Sequence, residues 1–251
     1  MLISALASDY DGTLASEGVV ADETLVALRR LKASGRKLLL VTGRELPDLM
    51  RVFPQIGLFD LVVAENGALL YRPDGAEETP LAPHPPQAFV EALKARKVLP
   101  LALGRTIVAT ADENAPVVED TLRTLGLDWR LILNKDSVMC LPPGVDKASG
   151  LAAALAALDL HAAEVLGVGD AENDATFIAA CGVSAAVGNA LPELKAVADI
   201  VTEAPAGAGV AWLIGRLLED PQAFAQLAQQ RQGSPLPQRG RGRADAERPA
   251  G

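Results

Sequence analysis

A doubly wound parallel α/β sheet, interrupted once by a small inserted α/β unit, is the fold class the sequence predicts. Three observations carry it. Apolar runs of strand length alternate with helix-length segments, polar or acidic turn residues follow several of those runs, and two Pro-rich stretches bracket the one interval where the rhythm changes.

The first run, Leu2-Ile3-Ser4-Ala5-Leu6-Ala7, reads as a short buried strand and leads into Asp9-Tyr10-Asp11-Gly12-Thr13. Alternate residues of a strand share a face, so Asp9 and Asp11 share an orientation only while the chain stays extended. Gly12 permits a sharp departure from that geometry. Two close carboxylates at the carboxyl end of a strand repel each other, and a bound divalent cation relieves the repulsion.

Asp22 is the expected N-cap of a helix with Leu25, Leu28 and Leu31 on one face, stopped at Gly35. Lys37-Leu38-Leu39-Leu40-Val41 is a buried strand ending at Thr42-Gly43-Arg44, a short helix runs to about Phe53, and Leu61–Ala64 is the next strand. Glu65-Asn66-Gly67 has the composition to begin a hairpin. Residues 73–87, with Pro73, Pro80, Pro83, Pro85 and Pro86, read as a linker. A small unit follows, with helices over about 87–97 and 114–125 and strands over 105–111, 129–133 and 137–141.

Pro142-Pro143-Gly144 marks the second crossing, after which the first rhythm resumes. An Ala-rich helix at 147–158, a strand over 164–168 and a helix from Gly169-Asp170 to about Cys181 come next. A strand at 183–187, a short helix, a strand at 199–201 and a helix at 208–219 close the body. The predicted organisation is a core of residues 1–79 and 143–220, an insert of 80–142, and an extension over 221–251. Residues 221–231 extend the last helix in this reading, and from Gln232 the Gly, Pro and Arg content supports no packed core.

Composition narrows the function. The net charge is −9, and five arginines in the last 21 residues against Asp245 and Glu247 leave the body at −12, which argues against a nucleic-acid platform. Cys140 and Cys181 form no CxxC pair, and His84 and His161 are the only histidines, so neither a zinc site nor a histidine triad is expected. Two unpaired thiols, no basic leader and no apolar stretch of spanning length suit a cytoplasmic protein without membrane contact.

Three further boundaries carry polar groups suited to phosphate. Thr42 and Gly43 offer a hydroxyl and backbone N–H groups, although a lone Thr there also serves as a helix N-cap. Lys147 opens a helix, where the dipole disfavours a cation by up to about 1 kcal/mol unless an anion is bound nearby. In Gly169-Asp170-Ala171-Glu172-Asn173-Asp174, two carboxylates stand one helical turn apart. Asp170 with Asp9 and a backbone oxygen of Asp11 would form a hard-cation site, with Asp174 joining directly or through water; all-oxygen ligands suit Mg²⁺ better than zinc.

The ordered set DYDGT, VTGR, GVDKASG and GDAEND resembles the four motifs of the haloacid dehalogenase superfamily of phosphohydrolases, over a span from Leu2 to about Leu218. ENGA at 65–68 and VGNALPELKAVAD at 187–199 resemble its Cof-type branch, with the insert in the place of a compact α/β cap on a Rossmann-like core. The resemblance implies a phosphomonoesterase acting on a small phosphorylated metabolite. Asp9 is then the nucleophile, Asp11 the acid/base, and Asp9, Asp11, Asp170 and Asp174 the holders of Mg²⁺. Thr42, Gly43 and Lys147 bind phosphate, and Asn173 orients Lys147 or a water. Arg44 suits either substrate contact or a surface ion pair. A phosphomutase and a non-catalytic binding module are the rivals. Arg105 and Lys135 are the candidate insert cations for a second anionic group.

Overall fold

The computed structural model describes residues 2–134 and 137–233. Two sheets organise them. The larger has eight strands in the order β12-β11-β10-β1-β2-β3-β4-β5. Its members are β1 (Ala5–Ser8), β2 (Lys37–Val41), β3 (Leu61–Ala64), β4 (Leu69–Arg72), β5 (Glu77–Pro80), β10 (Val165–Gly169), β11 (Val183–Ala186) and β12 (Ile200–Val201). The run from β12 to β3 is parallel, and β4 and β5 complete an antiparallel edge.

The central strands are apolar throughout because helices cover both faces. Residues 38–41 of β2 and all of β1, β3 and β10 are buried. Helices α1 (Asp22–Ala33) and α8 (Ala206–Glu219) pack together on one face, and α5 (Lys147–Ala157) packs with α6 (Ala175–Ala180). Right-handed crossovers put these two pairs on opposite sides of the sheet. From β1 the chain moves outward to β2 and β3, whereas β10 lies on the other flank and leads to β11 and β12. The β1/β10 junction is therefore the topological switch point, where the carboxyl ends of open α/β sheets leave a crevice.

The smaller sheet, β6 (Leu101–Leu103), β7 (Val108–Ala111), β9 (Ser137–Leu141) and β8 (Arg130–Asn134), is antiparallel throughout. Helices α3 (Gln87–Ala95) and α4 (Ala115–Leu125) cover one face around Phe89, Leu93, Val108, Val118, Leu122 and Cys140. The opposite face carries Leu141, Ile132 and Met139, packed with Ala68 from the turn between β3 and β4. That face looks at the carboxyl ends of the large sheet.

Several local expectations need correction. Ala21, not Asp22, is the N-cap of α1, and no side chain caps it; Asp22 is the first helical residue, where its charge favours the dipole. The 73–87 linker contains β5, an exposed edge strand whose pairing depends only on β4. β6 was not anticipated, since three residues carry no readable period. Residues 221–233 are a separate helix, α9, because the backbone leaves helical geometry at Asp220 before Pro221. The 164–168 strand begins one residue later, and α2 (Leu46–Val52) and α7 (Pro192–Lys195) are the two short helices foreseen. The hairpin after Ala64 is present as β3 and β4. Lys135 and the region from 234 onward lie outside the described residues.

Candidate active site

Asp9 follows β1 directly, and Asp170 follows β10. Parallel pairing of the two strands, Ser8 opposite Val168, brings their carboxyl ends side by side. Ligand oxygens of Asp9, Asp170 and Asp174 lie within 4.8 Å of one another. Asp174 is held in place by the turn before α6: its Oδ2 accepts the backbone N–H of Asp170 at 2.9 Å and of Ala171 at 3.0 Å. Thr13, absent from the sequence-derived set, donates its hydroxyl to Asp170 Oδ1 at 2.8 Å.

Lys147 enters this cluster from α5. Asp146 caps that helix by accepting the Ser149 N–H at 2.8 Å, while Ser149 Oγ accepts the Asp146 N–H at 3.0 Å. The cap fixes the first turn and aims Lys147 inward. Its Nζ lies 2.6 Å from Asp9 Oδ1 and 2.6 Å from Asp174 Oδ1, and all three groups are buried. Burial alone would depress the Lys147 ammonium, but the Asp174 and Asp9 carboxylates hold its pKa above the ordinary value. Burial, and then the charge of Asp174, push the Asp9 carboxyl well above its usual range, with Lys147 opposing.

Three convergent carboxylates, those of Asp9, Asp170 and Asp174, concentrate negative charge around the Lys147 ammonium. A hard divalent cation would balance it, and the donors are all oxygen. The residues present fit such an ion.

Gly12 shapes the turn after Asp9. Its φ is +84°, and a Cβ there would stand 2.2 Å from Asp170 Oδ2. Only glycine satisfies both conditions. Asn189 braces the same turn by donating to Gly12 O at 2.9 Å while accepting the Ala206 N–H at 2.7 Å. Gly67 plays a parallel part beside α5, since a Cβ on it would meet Asp146 O at 1.9 Å.

The structure separates Asp11 from the cluster. Its carboxylate is gripped by Arg44, Nε to Oδ2 and Nη2 to Oδ1, each at 2.7 Å. Arg44 also pairs with Asp48, so of the two sequence alternatives the ion pair is the one observed. Thr42 is buried at the end of β2, and its Oγ1 accepts the Arg44 N–H at 3.1 Å. Gly43 passes close to the Asn66 side chain, 3.2 Å from where its Cβ would be. Asn173 donates to Asn66 Oδ1 at 3.5 Å rather than to a partner of Lys147, whose orientation is set by Asp9 and Asp174. Arg105 pairs with Glu78 at 2.7 Å and stands apart from the cleft residues.

Two residues beyond the sequence-derived set tie this region together. Asn66 donates to Met139 Sδ of β9 at 2.9 Å. Glu65, fully buried, accepts the Arg105 N–H at 2.8 Å, the Thr106 N–H at 2.9 Å and the Thr106 hydroxyl at 3.1 Å. ENGA was legible as a turn and as part of the branch resemblance; its contacts come from the other sheet. Between the sheets lies a cleft of about 660 Å³ whose walls include Lys147, Asp170, Asn173, Asn66 and Arg130. Its size is that of a small-molecule site.

The fold and the site together place a cluster of carboxylates at the switch point of a doubly wound sheet. The chain belongs to the haloacid dehalogenase-like hydrolases, whose family pattern matches residues 6–117 and 131–214. Its enzymatic class is phosphatase. Among curated proteins it is 33% identical to a phosphoglycolate phosphatase of Methanothermobacter thermautotrophicus over 219 residues, covering 85% of this chain and 98% of that one. It is 30% identical to phosphoglycolate phosphatase 2 of Saccharolobus solfataricus, covering 85% and 91%. A haloacid dehalogenase-like hydrolase from Bacteroides thetaiotaomicron superposes with a TM-score of 0.74 at 20% identity, over 85% of this chain and 99% of that one. A sugar phosphatase of subclass IIB of the superfamily superposes with a TM-score of 0.66 at 20% identity, over 86% and 98%. Both structures share the fold. Among the described residues no helix is long and apolar enough to cross a membrane.

Proposed function

We propose that the protein is a Mg²⁺-dependent phosphomonoesterase that hydrolyses a small phosphorylated metabolite, of sugar phosphate or phosphoglycolate type, through an aspartyl-phosphate on Asp9. The observation that carries this reading is the buried Asp9–Lys147–Asp174 arrangement, with both ion-pair distances at 2.6 Å and Asp170 alongside. The unit over 80–142 serves as a cap on the core of 1–79 and 143–220.

An Asp9 carboxylate oxygen attacks phosphorus while the bond to the leaving oxygen breaks. Asp11 gives its proton to that oxygen, and then takes one from the water that attacks the aspartyl-phosphate, releasing inorganic phosphate and restoring Asp9. Lys147 has three N–H donors and spends two on Asp9 and Asp174, which leaves one for an equatorial phosphoryl oxygen. Thr42 and the Gly43 N–H, just after the carboxyl end of the neighbouring parallel strand β2, bind the others. Asp9, Asp170, Asp174 and a backbone oxygen of Asp11 would hold Mg²⁺, which supplies charge neutralisation and alignment of the phosphoryl group.

Wild-type protein should release phosphate from p-nitrophenyl phosphate with Mg²⁺, lose that activity in EDTA, and regain it on adding the metal back. Asp9→Asn should lower kcat by on the order of 10⁴- to 10⁶-fold, the upper figure being the cost of removing the attacking group in a covalent hydrolase. Turnover by Asp9→Asn within tenfold of wild type would remove Asp9 from the nucleophile role.

A further inference from the structure

Among the described residues, two cations line the cleft, Lys147 and Arg130. Lys147 is bound by Asp9 and Asp174. Arg130 differs. It lines the cleft from β8, and among the described residues it pairs with no carboxylate.

Its placement follows from strand register. On β9, Leu141 and Met139 face the large sheet, and Met139 touches Asn66. Arg130 pairs with Leu141 and Ile132 with Met139, so Arg130 shares their face. It is directed at the site rather than at the helices behind the small sheet. One Nη donates to Val145 O at 2.6 Å, in the segment that links the small sheet to α5. That bond holds the guanidinium at the mouth of the cleft and leaves its other N–H groups to a ligand.

We infer that Arg130 is the specificity-determining residue of this phosphatase, binding a carboxylate that the substrate carries besides its phosphate. The inference rests on the phosphatase reading above and deepens it. A planar guanidinium matches a carboxylate with two parallel hydrogen bonds. The charge balance agrees. One arginine neutralises one carboxylate, whereas a second phosphoryl group would bring nearly two charges to a wall that already holds Asp146, Asp170 and Glu172. A neutral sugar would leave Arg130 facing the cleft without a partner of opposite charge. The expected substrate is a short phosphate monoester with a carboxylate a few bonds from the phosphate. Glu172, which also lines the cleft and has no ion-pair partner among the described residues, offers the competing explanation that Arg130 merely latches the sheets together.

The test compares kcat/KM for 2-phosphoglycolate, glucose 6-phosphate and p-nitrophenyl phosphate in wild type, Arg130→Gln, Arg130→Lys and Glu172→Gln, with Mg²⁺. In Arg130→Gln the ratio of 2-phosphoglycolate to each of the other two should fall roughly 10- to 100-fold, the loss of one charged two-point contact. Arg130→Lys should recover part of it through KM, and Glu172→Gln should leave the ratio in place. Equal losses on all three substrates, a fixed ratio in Arg130→Gln, or the same loss in Glu172→Gln would overturn the assignment while leaving the phosphatase reading intact. Wild type that turns over none of the three substrates would instead overturn both. Arg130 is exposed, so its variants should fold, and unchanged thermal unfolding verifies it.

Discussion

Arg44 and Asp11 form a two-point ion pair, both N–O distances 2.7 Å, that holds the carboxylate of Asp11 outside the Asp9–Asp170–Asp174 cluster. The proposed acid/base role requires Asp11 to turn from Arg44 toward the leaving oxygen. Asp11→Asn removes the proton donor and leaves Asp9 in place. Its kcat should fall about 10²- to 10⁴-fold with KM moving little. Steady-state kinetics that retain a third or more of wild-type kcat would exclude Asp11 as the acid/base.

Lys147 is the only cation within hydrogen-bond reach of buried Asp9 and Asp174 among the described residues. Lys147→Ala leaves two carboxylates without that partner, and stability should fall by about 3–5 kcal/mol. Adding Asp9→Asn to this variant should recover part of the loss, because the stranded charge goes with it. Thermal or urea unfolding of the two singles and the double, without metal, measures the coupling. Strictly additive losses would mean that the pair does not interact.

Burial pushes both thiols, Cys140 and Cys181, up to about 12, against an ordinary value of 9.0. The folded protein thus keeps them protonated where the unfolded chain begins to lose its protons. Their contribution to stability is complete below about pH 9, and it declines as pH rises from 9.0 toward about 12. At pH 8 a thiol reagent should label neither cysteine in the native protein and both in urea. Rapid native labelling would show that one of them opens to solvent.

Glu65 joins the turn after β3 to the turn between β6 and β7 through three accepted hydrogen bonds. Glu65→Ala strands two backbone N–H groups and the Thr106 hydroxyl, a cost of about 1–3 kcal/mol for each group that stays buried. Amide exchange at residues 105 and 106 should accelerate more than exchange in β1 or β10. Uniform acceleration across both sheets would mean that Glu65 supports the whole fold and is no local tie between the sheets.

Much of the framework was open to direct reading. Lys37–Val41 and Leu61–Ala64 are strands at their predicted bounds because uninterrupted apolar residues can be hidden on both faces only within a covered parallel sheet. β5 escaped detection for the opposite reason: Glu77-Glu78-Thr79-Pro80 is exposed, and its strand geometry is imposed by β4 alone. The break at Asp220 has a local cause, since the residue before Pro221 is disfavoured in helical geometry, whereas the Arg231–Asp199 contact at 3.0 Å that anchors α9 is tertiary.

The candidate site divides along the same line. Asp9, Lys147, Asp170 and Asp174 were legible from their places at strand and helix ends, since chain order and right-handed crossovers leave those ends at one crevice. Which way each side chain turns was not legible. Asp11 meets Arg44, Asn173 meets Asn66, and Arg105 is spent on Glu78, all through distances that local sequence does not encode. Thr13, Glu65, Asn66, Asn189 and Arg130 acquire their parts only from neighbours far along the chain. Residue order by itself determined the sheet, the insertion and the acidic strand ends, because periodicity and turn chemistry are local. Tertiary packing decided which charges are paired and which cation faces the cleft, because electrostatic partnership is settled by proximity in space.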